Sequence, residues 1–323
     1  MKRRDFARLA AGALLAGGGH AARPRVYAQS ASPGTEAAAG ASALKVDIYS
    51  RHLQWLRTAD EVAVAATEMG YDGVNVTVRT YPGHVDPENV AQDLPPFVNT
   101  IRKHGLLVRS ITTNISDTDS PNAERIVATA SSLGITHYWW GTYRYDLAKP
   151  IFEQLTALKP RVAKIAALSE KYNMTAAYHT YSMPAQVGSV MWDLLYLLKD
   201  FDPKFVGFHY DTGHESHHIN GLWEVNLRGA GPYIAALAVK DYAPEQKRTR
   251  PVPLGTGMVN LPQVAAALKD IHFSGPVEIQ AEYPNGGAES AQDSITLPRG
   301  QVLGAMKRDL LTLREGFAAS GLL

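Results

Sequence analysis

Eight short apolar runs pass through this chain, each followed by a stretch of helical character. Their C-terminal ends carry most of its chemically able side chains. The runs are 44–49 (LKVDIY), 73–79 (GVNVTVR), 106–113 (LLVRSITT), 135–141 (ITHYWWG), 174–180 (MTAAYHT), 205–211 (FVGFHYD), 234–241 (IAALAVKD) and 277–283 (VEIQAEY). Strands covered on both faces read this way, apolar throughout rather than alternating. Eight of them interleaved with helices predict a (β/α)8 barrel, an α/β fold in which parallel strands close on themselves inside a ring of helices. The interior of such a barrel is packed, so the C-terminal strand ends and the loops after them build the active site. Arg79, His179, Asp211, Lys240, Gln280 and Glu282 are therefore predicted to converge on one mouth.

Composition fits a single domain over 44–318. With 323 residues and 45% hydrophobic content, the chain can bury a large core. Lys+Arg 32 against Asp+Glu 31 leaves a formal net charge of +1 with no long charged block, which points away from nucleic acid and from an anionic membrane surface. Cys 0 excludes disulfides, thiolate catalysis and cysteine-based zinc sites. No nucleotide cofactor is expected: the nearest glycine loop, 253–259 (PLGTGMV), lacks the Lys-Ser/Thr pair of a phosphate loop and reads as a loop after the seventh strand that helps form the mouth. There is no GxSxG nucleophile elbow.

Residues 1–30 read as an export signal. RRDF (3–6) precedes the moderately apolar LAAGALLAGGG, and small residues follow near VYAQSAS, which together resemble a twin-arginine signal with cleavage near Ser30. The expectation is a periplasmic protein exported folded; the alternative is a basic, Ala-rich N-terminal helix of a cytosolic protein. The run is too short and too Gly-rich for a membrane span, so no stable insertion is expected. Residues 31–43 read as a flexible leader.

The motifs YDTGH (210–214), VKD (239–241), the PLGTGMVN turn and SGPVEIQ leading into an acid resemble the sugar phosphate isomerase/epimerase group of xylose-isomerase-like TIM barrels, over nearly the whole chain beyond the leader. YSRHLQWL (49–56), VNVTVRTYPGHVDPENV (74–90) and AEYPNGGAE (281–289) are similar to one bacterial branch of that group. The resemblance implies a divalent ion (Mn, Mg, Co or Zn) at the mouth, polarising sugar oxygens so that a side-chain base removes the proton between them. It also implies a Glu, Asp, His, Glu ligand set from the late strands. Asp211 keeps the Asp and His214 the substrate-facing His three residues later. His179 stands at the first Glu position, Ala238 at the metal His and Gln280 at the last Glu. Ala238 coordinates nothing and Gln280 is a weak neutral donor. Glu282, two residues on and on the same side of an extended strand, is positioned to supply the missing carboxylate. The expected metal set is His179, Asp211 and Gln280 with Glu282 nearby; an ion-free site is the alternative.

Each of these residues has a structural alternative. His179 could hydrogen-bond Tyr181 or Tyr210 inside the barrel, Asp211 could pair with Lys240, and Arg79 could brace a loop carboxylate. His217 and His218 read as solvated loop residues. Of Trp139 and Trp140, alternation lets at most one face the mouth. The reading that follows is a sugar isomerase or epimerase that abstracts a proton beside a carbonyl, with a keto-sugar lyase or dehydratase and a non-catalytic sugar-binding barrel as alternatives. Glu282 or His214 is the expected base, Lys240 stabilises developing negative charge, and Asp211 holds the ion or orients His214. Arg79, Tyr181, Trp140 and Asp241 are the substrate-binding candidates. The expected partner is a small carbohydrate, with self-association left open.

Overall fold

Six of the eight barrel strands are buried at every residue, which is why their sequences carry so little polarity. A computed structural model of the protein describes residues 43–218, 222–246 and 248–323, which belong to one compact unit, Ser42–Leu323. The predicted signal and nearly all of the predicted leader lie outside the described residues, as do the side chains of His217 and His218.

The barrel strands are β1 (Val46–Tyr49), β2 (Gly73–Thr77), β3 (Ser110–Thr112), β4 (His137–Trp140), β5 (Thr175–His179), β6 (Val206–Asp211), β7 (Ile234–Val239) and β10 (Val277–Ile279). Each pairs in parallel with its neighbours, and β1 closes on β10. Helices follow the strands: α1 (Ala59–Met69), α2 (Val90–Lys103), α3 (Ala123–Ser132), α4 (Ile151–Lys171), α5 (Met191–Leu198), the pair α6 (Thr212–His218) and α7 (Trp223–Ala230), α8 (Leu261–Asp270) and α9 (Arg299–Ala318). Local signals agree with these bounds. Thr58 and Glu61 form a reciprocal capping box at the start of α1, and Gly70 ends that helix in the left-handed region at φ 88°. Among the described residues no helix is long and apolar enough to cross a membrane.

Two departures from the sequence reading shape the mouth. Residues 241–252 are a two-stranded antiparallel hairpin, β8 (Asp241–Glu245) and β9 (Arg248–Val252), where no strand was read. The last barrel strand stops at Ile279, so Glu282 reaches the mouth from a turn, closed by its N–H on Gln280 O at 3.1 Å, instead of from strand alternation.

Candidate active site

The registers bring β5, β6, β7 and β10 side by side, with His179 opposite His209 and Asp211 opposite Ala238. Lys240 follows β7, is only 4% exposed, and forms the centre of what those strands assemble. Its Nζ lies 3.0 Å from Asp211 Oδ2 and 3.0 Å from Glu282 Oε2. It is also 3.2 Å from His214 Nε2 and 3.3 Å from Gln280 Oε1. The glycine of YDTGH serves this arrangement, since a Cβ at Gly213 would meet Lys240 Cγ at 2.6 Å.

The electrostatics follow from burial and pairing. Burial works against the Lys240 charge, but Asp211 and Glu282 outweigh it and hold the ammonium above the usual lysine range. Burial likewise favours neutral carboxyls, yet the Lys240 charge holds Asp211 well below the ordinary value and Glu282 at about 2. Tyr242 adds an O–H donated to Glu282 Oε2 at 3.1 Å. The His214 ring accepts from the ammonium at Nε2, so its hydrogen sits on Nδ1, 2.7 Å from Ser182 Oγ. Burial, aided by Lys240, pushes His214 down to about 3, a neutral imidazole. Asp211 orients the main chain of this residue instead of its ring: Oδ1 accepts the His214 N–H at 2.9 Å.

Beside the ammonium stands a stack. Trp139 lies on His179 with ring centroids 4.2 Å apart and 14° between planes, and the Arg79 guanidinium lies 5.0 Å from the Trp139 ring. His179 Nε2 is 3.2 Å from Asp211 Oδ2, but neither ring nitrogen makes a well-directed hydrogen bond among the described residues. Its contact with Tyr181 is ring against ring at 4.7 Å, not the hydrogen bond to Tyr181 or Tyr210 considered from sequence. Arg79 donates to Thr113 O at 3.3 and 3.1 Å and to Tyr49 Oη at 3.5 Å. Among the described residues it pairs with no carboxylate. Below the mouth a polar line runs into the barrel. Gln280 takes Lys240's hydrogen on Oε1 and gives its own amide to Glu278 Oε1 at 2.6 Å; Asn75 also donates to Glu278, and Thr112 to Asn75. Burial pushes Glu278 up to about 7.

The structure thus gathers His179, Asp211, His214, Lys240, Gln280, Glu282, Arg79 and Tyr181, and separates Trp140 and Asp241 from them. Trp140 turns outward into the apolar layer, edge-on to Tyr178 and Tyr143, because β4 begins at His137 and its phase sends Trp139 inward. Asp241 has both oxygens committed. They accept the backbone N–H groups of Tyr242, Gly255, Gly257 and Val259 at 2.9–3.0 Å, pinning the PLGTGM loop. It supports the wall and has no oxygen free for a substrate. Tyr242 and Glu278 are absent from the sequence-based set, and of the two tryptophans weighed there it is Trp139 and not Trp140 that faces the mouth; polar interruptions such as Asn75, His209 and Glu278 within apolar runs are the available signal.

The ligand atoms of His179, Asp211 and His214 lie within 4.8 Å of one another, a group that could meet around one ion. The ammonium stands against two of the same residues, touching Asp211 Oδ2 and His214 Nε2. A divalent ion about 4 Å from an ammonium is repelled by roughly 8 kcal/mol at an effective dielectric of 20, twice the figure for two unit charges. Ala238 supplies no ligand, and Gln280 Oε1 already accepts from Lys240. With Lys240 seated, these residues do not fit a divalent ion.

Solved structures with the same fold are far apart in sequence. A D-psicose 3-epimerase from Clostridium cellulolyticum H10, with D-tagatose, is 12% identical at a TM-score of 0.64, covering 85% of this chain and 99% of its own. The 3-keto-D-glucoside 4-epimerase YcjR from E. coli is 12% identical at 0.61, over 83% and 99%. An IOLI protein with a bound zinc atom is 15% identical at 0.65, over 85% and 100%. Among curated proteins none matches the chain. The profile of one family covers residues 63–299, most of the barrel just described. The chain belongs to the xylose isomerase-like TIM barrel family.

Proposed function

We propose that this barrel epimerises or isomerises a keto-sugar or related polyol by removing the proton from the carbon beside its carbonyl. The observation that carries the reading is the Lys240–Glu282 pair, 3.0 Å apart at the mouth: a charge stabiliser and a base within reach of one carbon. Glu282 takes the proton, the electron pair moves onto the carbonyl oxygen, and Lys240 neutralises the enolate. Return of the proton to either face, or to the neighbouring carbon, sets the product. At about 2, Glu282 is a weak base while Lys240 is wholly its own. A substrate oxygen that draws on the ammonium weakens that hold and raises the basicity of Glu282 as the carbonyl becomes acidified. His214 is the poorer candidate, since its Nε2 lone pair faces the ammonium. Trp139 supplies an aromatic face, and Arg79, with no carboxylate partner among the described residues, takes an oxygen-rich or anionic end of the substrate. The epimerase names of the similar structures support inversion ahead of elimination.

A second reading, a sugar-binding barrel without turnover, is favoured by the same pair seen otherwise, because the three donors of Lys240 are already taken by His214, Gln280 and Glu282 and its charge by Asp211. Solvent deuterium exchange into keto-sugars, followed by NMR, separates the two. Exchange by the wild type that Glu282→Gln loses supports the reaction; sugar binding without exchange leaves the binding protein. Exchange surviving intact in Glu282→Gln removes that residue as the base.

A further inference from the structure

We infer that Lys240 is the resident cation of this site: its ammonium takes the place of a divalent ion, and lysine and metal are mutually exclusive occupants of the ring made by Asp211, His214, Gln280 and Glu282. Four polar atoms from two segments, 211–214 and 280–282, converge on one nitrogen at 3.0–3.3 Å, an arrangement far richer than an ordinary surface ion pair. They belong in part to Asp211 and His214, two residues of the group that could hold an ion.

The ammonium is fixed from behind as well as in front. Thr212 ties the Lys240 backbone at both ends, donating its O–H to Lys240 O at 2.9 Å and accepting the Lys240 N–H at 3.2 Å. Gly213 leaves no spare width beside the side chain, whose Cγ would lie 2.6 Å from a Cβ there. The lysine is thus held at its backbone and at Cγ, which aims the side chain into the site. Asp211 and Glu282 bring two negative charges and Lys240 one positive, so the lysine answers the buried Asp211 and shares its charge with the part-exposed Glu282. Two further positions fit this substitution. Ala238, opposite Asp211, offers no ligand, and Gln280 is a neutral acceptor suited to an ammonium. The inference rests on the same assignment of Lys240 as the proposed reaction, but its test reads metal and not turnover.

The full-length protein is titrated with Mn2+ and, separately, Zn2+, followed by calorimetry and by elemental analysis after desalting. The wild type is expected to retain no stoichiometric ion. Lys240→Met, which removes the charge and keeps the bulk, is expected to bind one ion per chain, tightened by at least about 100-fold over the wild type, the repulsion removed being worth more than that. Mn2+ should also raise the melting temperature of that variant but not of the wild type, because an ion then answers Asp211 and Glu282. Adding Asp211→Asn to Lys240→Met should abolish the gain. Should the Met variant fail to fold, Lys240→Gln, neutral and hydrogen-bonding, carries the same expectation. A wild type that holds one ion per chain, or a folded Lys240 variant that binds no tighter than wild type, overturns the inference. Failure of deuterium exchange alone would remove the proposed reaction and leave the occupancy of the site intact.

Discussion

His52 shows what burial does to a single side chain. It is fully buried between Tyr49, edge-on at 5.5 Å, and Ala288 O, 3.3 Å from Nδ1, while Nε2 has no hydrogen-bond partner among the described residues. Desolvation first, then the Arg51 charge, lowers its pKa from 6.5 to about 4. Between those values the folded state binds fewer protons than the unfolded chain. The stability owed to a neutral His52 is therefore present above pH 6.5 and drains away as pH falls toward 4, by at most about 1.4 kcal/mol per unit. His52→Asn keeps a donor for Ala288 O but does not titrate. Urea midpoints across pH 7 to 4 should show it weaker at neutral pH and shallower in its acid loss; an unchanged slope would sink the assignment. Single residues of this kind are the least legible in sequence. The motif containing His52 was visible, but its burial depends on a contact 236 positions away. Trp139 and Trp140 differ by one step of strand phase, which alternation demands without saying which ring goes inward.

At the scale of elements, legibility follows burial. The eight barrel strands were readable because both of their faces are covered, and the C-terminal ends then located Asp211, Lys240 and the rest without further information. The β8–β9 hairpin was not readable, for DYAPE and RTRPV are polar, interrupted by proline and largely exposed, with nothing in them of a covered strand. That hairpin displaces Asp241 from the mouth and turns it into a clamp on four N–H groups of its own end and the 253–259 loop. Asp241→Asn substitutes an amide whose NH2 faces donors, so it should cost about 2–4 kcal/mol and open 241–259 to protease. Thermal melting and limited proteolysis check both, and an unmoved midpoint would mean the loop stands without its clamp. Glu282 is brought to Lys240 by a turn and not by the strand alternation from which the sequence places it at the mouth.

For the whole molecule, the barrel and the export of the chain are separate matters. We propose that residues 1–30 direct twin-arginine export to the periplasm, on the strength of Arg3 and Arg4 ahead of an apolar run. Changing both to Lys should hold the precursor in the cytoplasm, read by fractionation and blotting; undiminished export would assign another route. Within the barrel, the link from Lys240 through Gln280 to Glu278 couples three positions. Gln280 can serve both neighbours because one end of its amide accepts and the other gives. A carboxylate there has no N–H to give Glu278, so the 2.6 Å contact would hold only while Glu278, pushed to about 7 by burial, keeps a proton of its own. Loss of Lys240 removes the cation that Asp211 and Glu282 face, and Gln280→Glu makes Glu278 the donor. The three positions are thus coupled: what Gln280 must accept or give depends on what stands at 240 and at 278. Substitutions at 240 and 280 are therefore expected to be non-additive in stability, each changing the proton that its neighbour must meet.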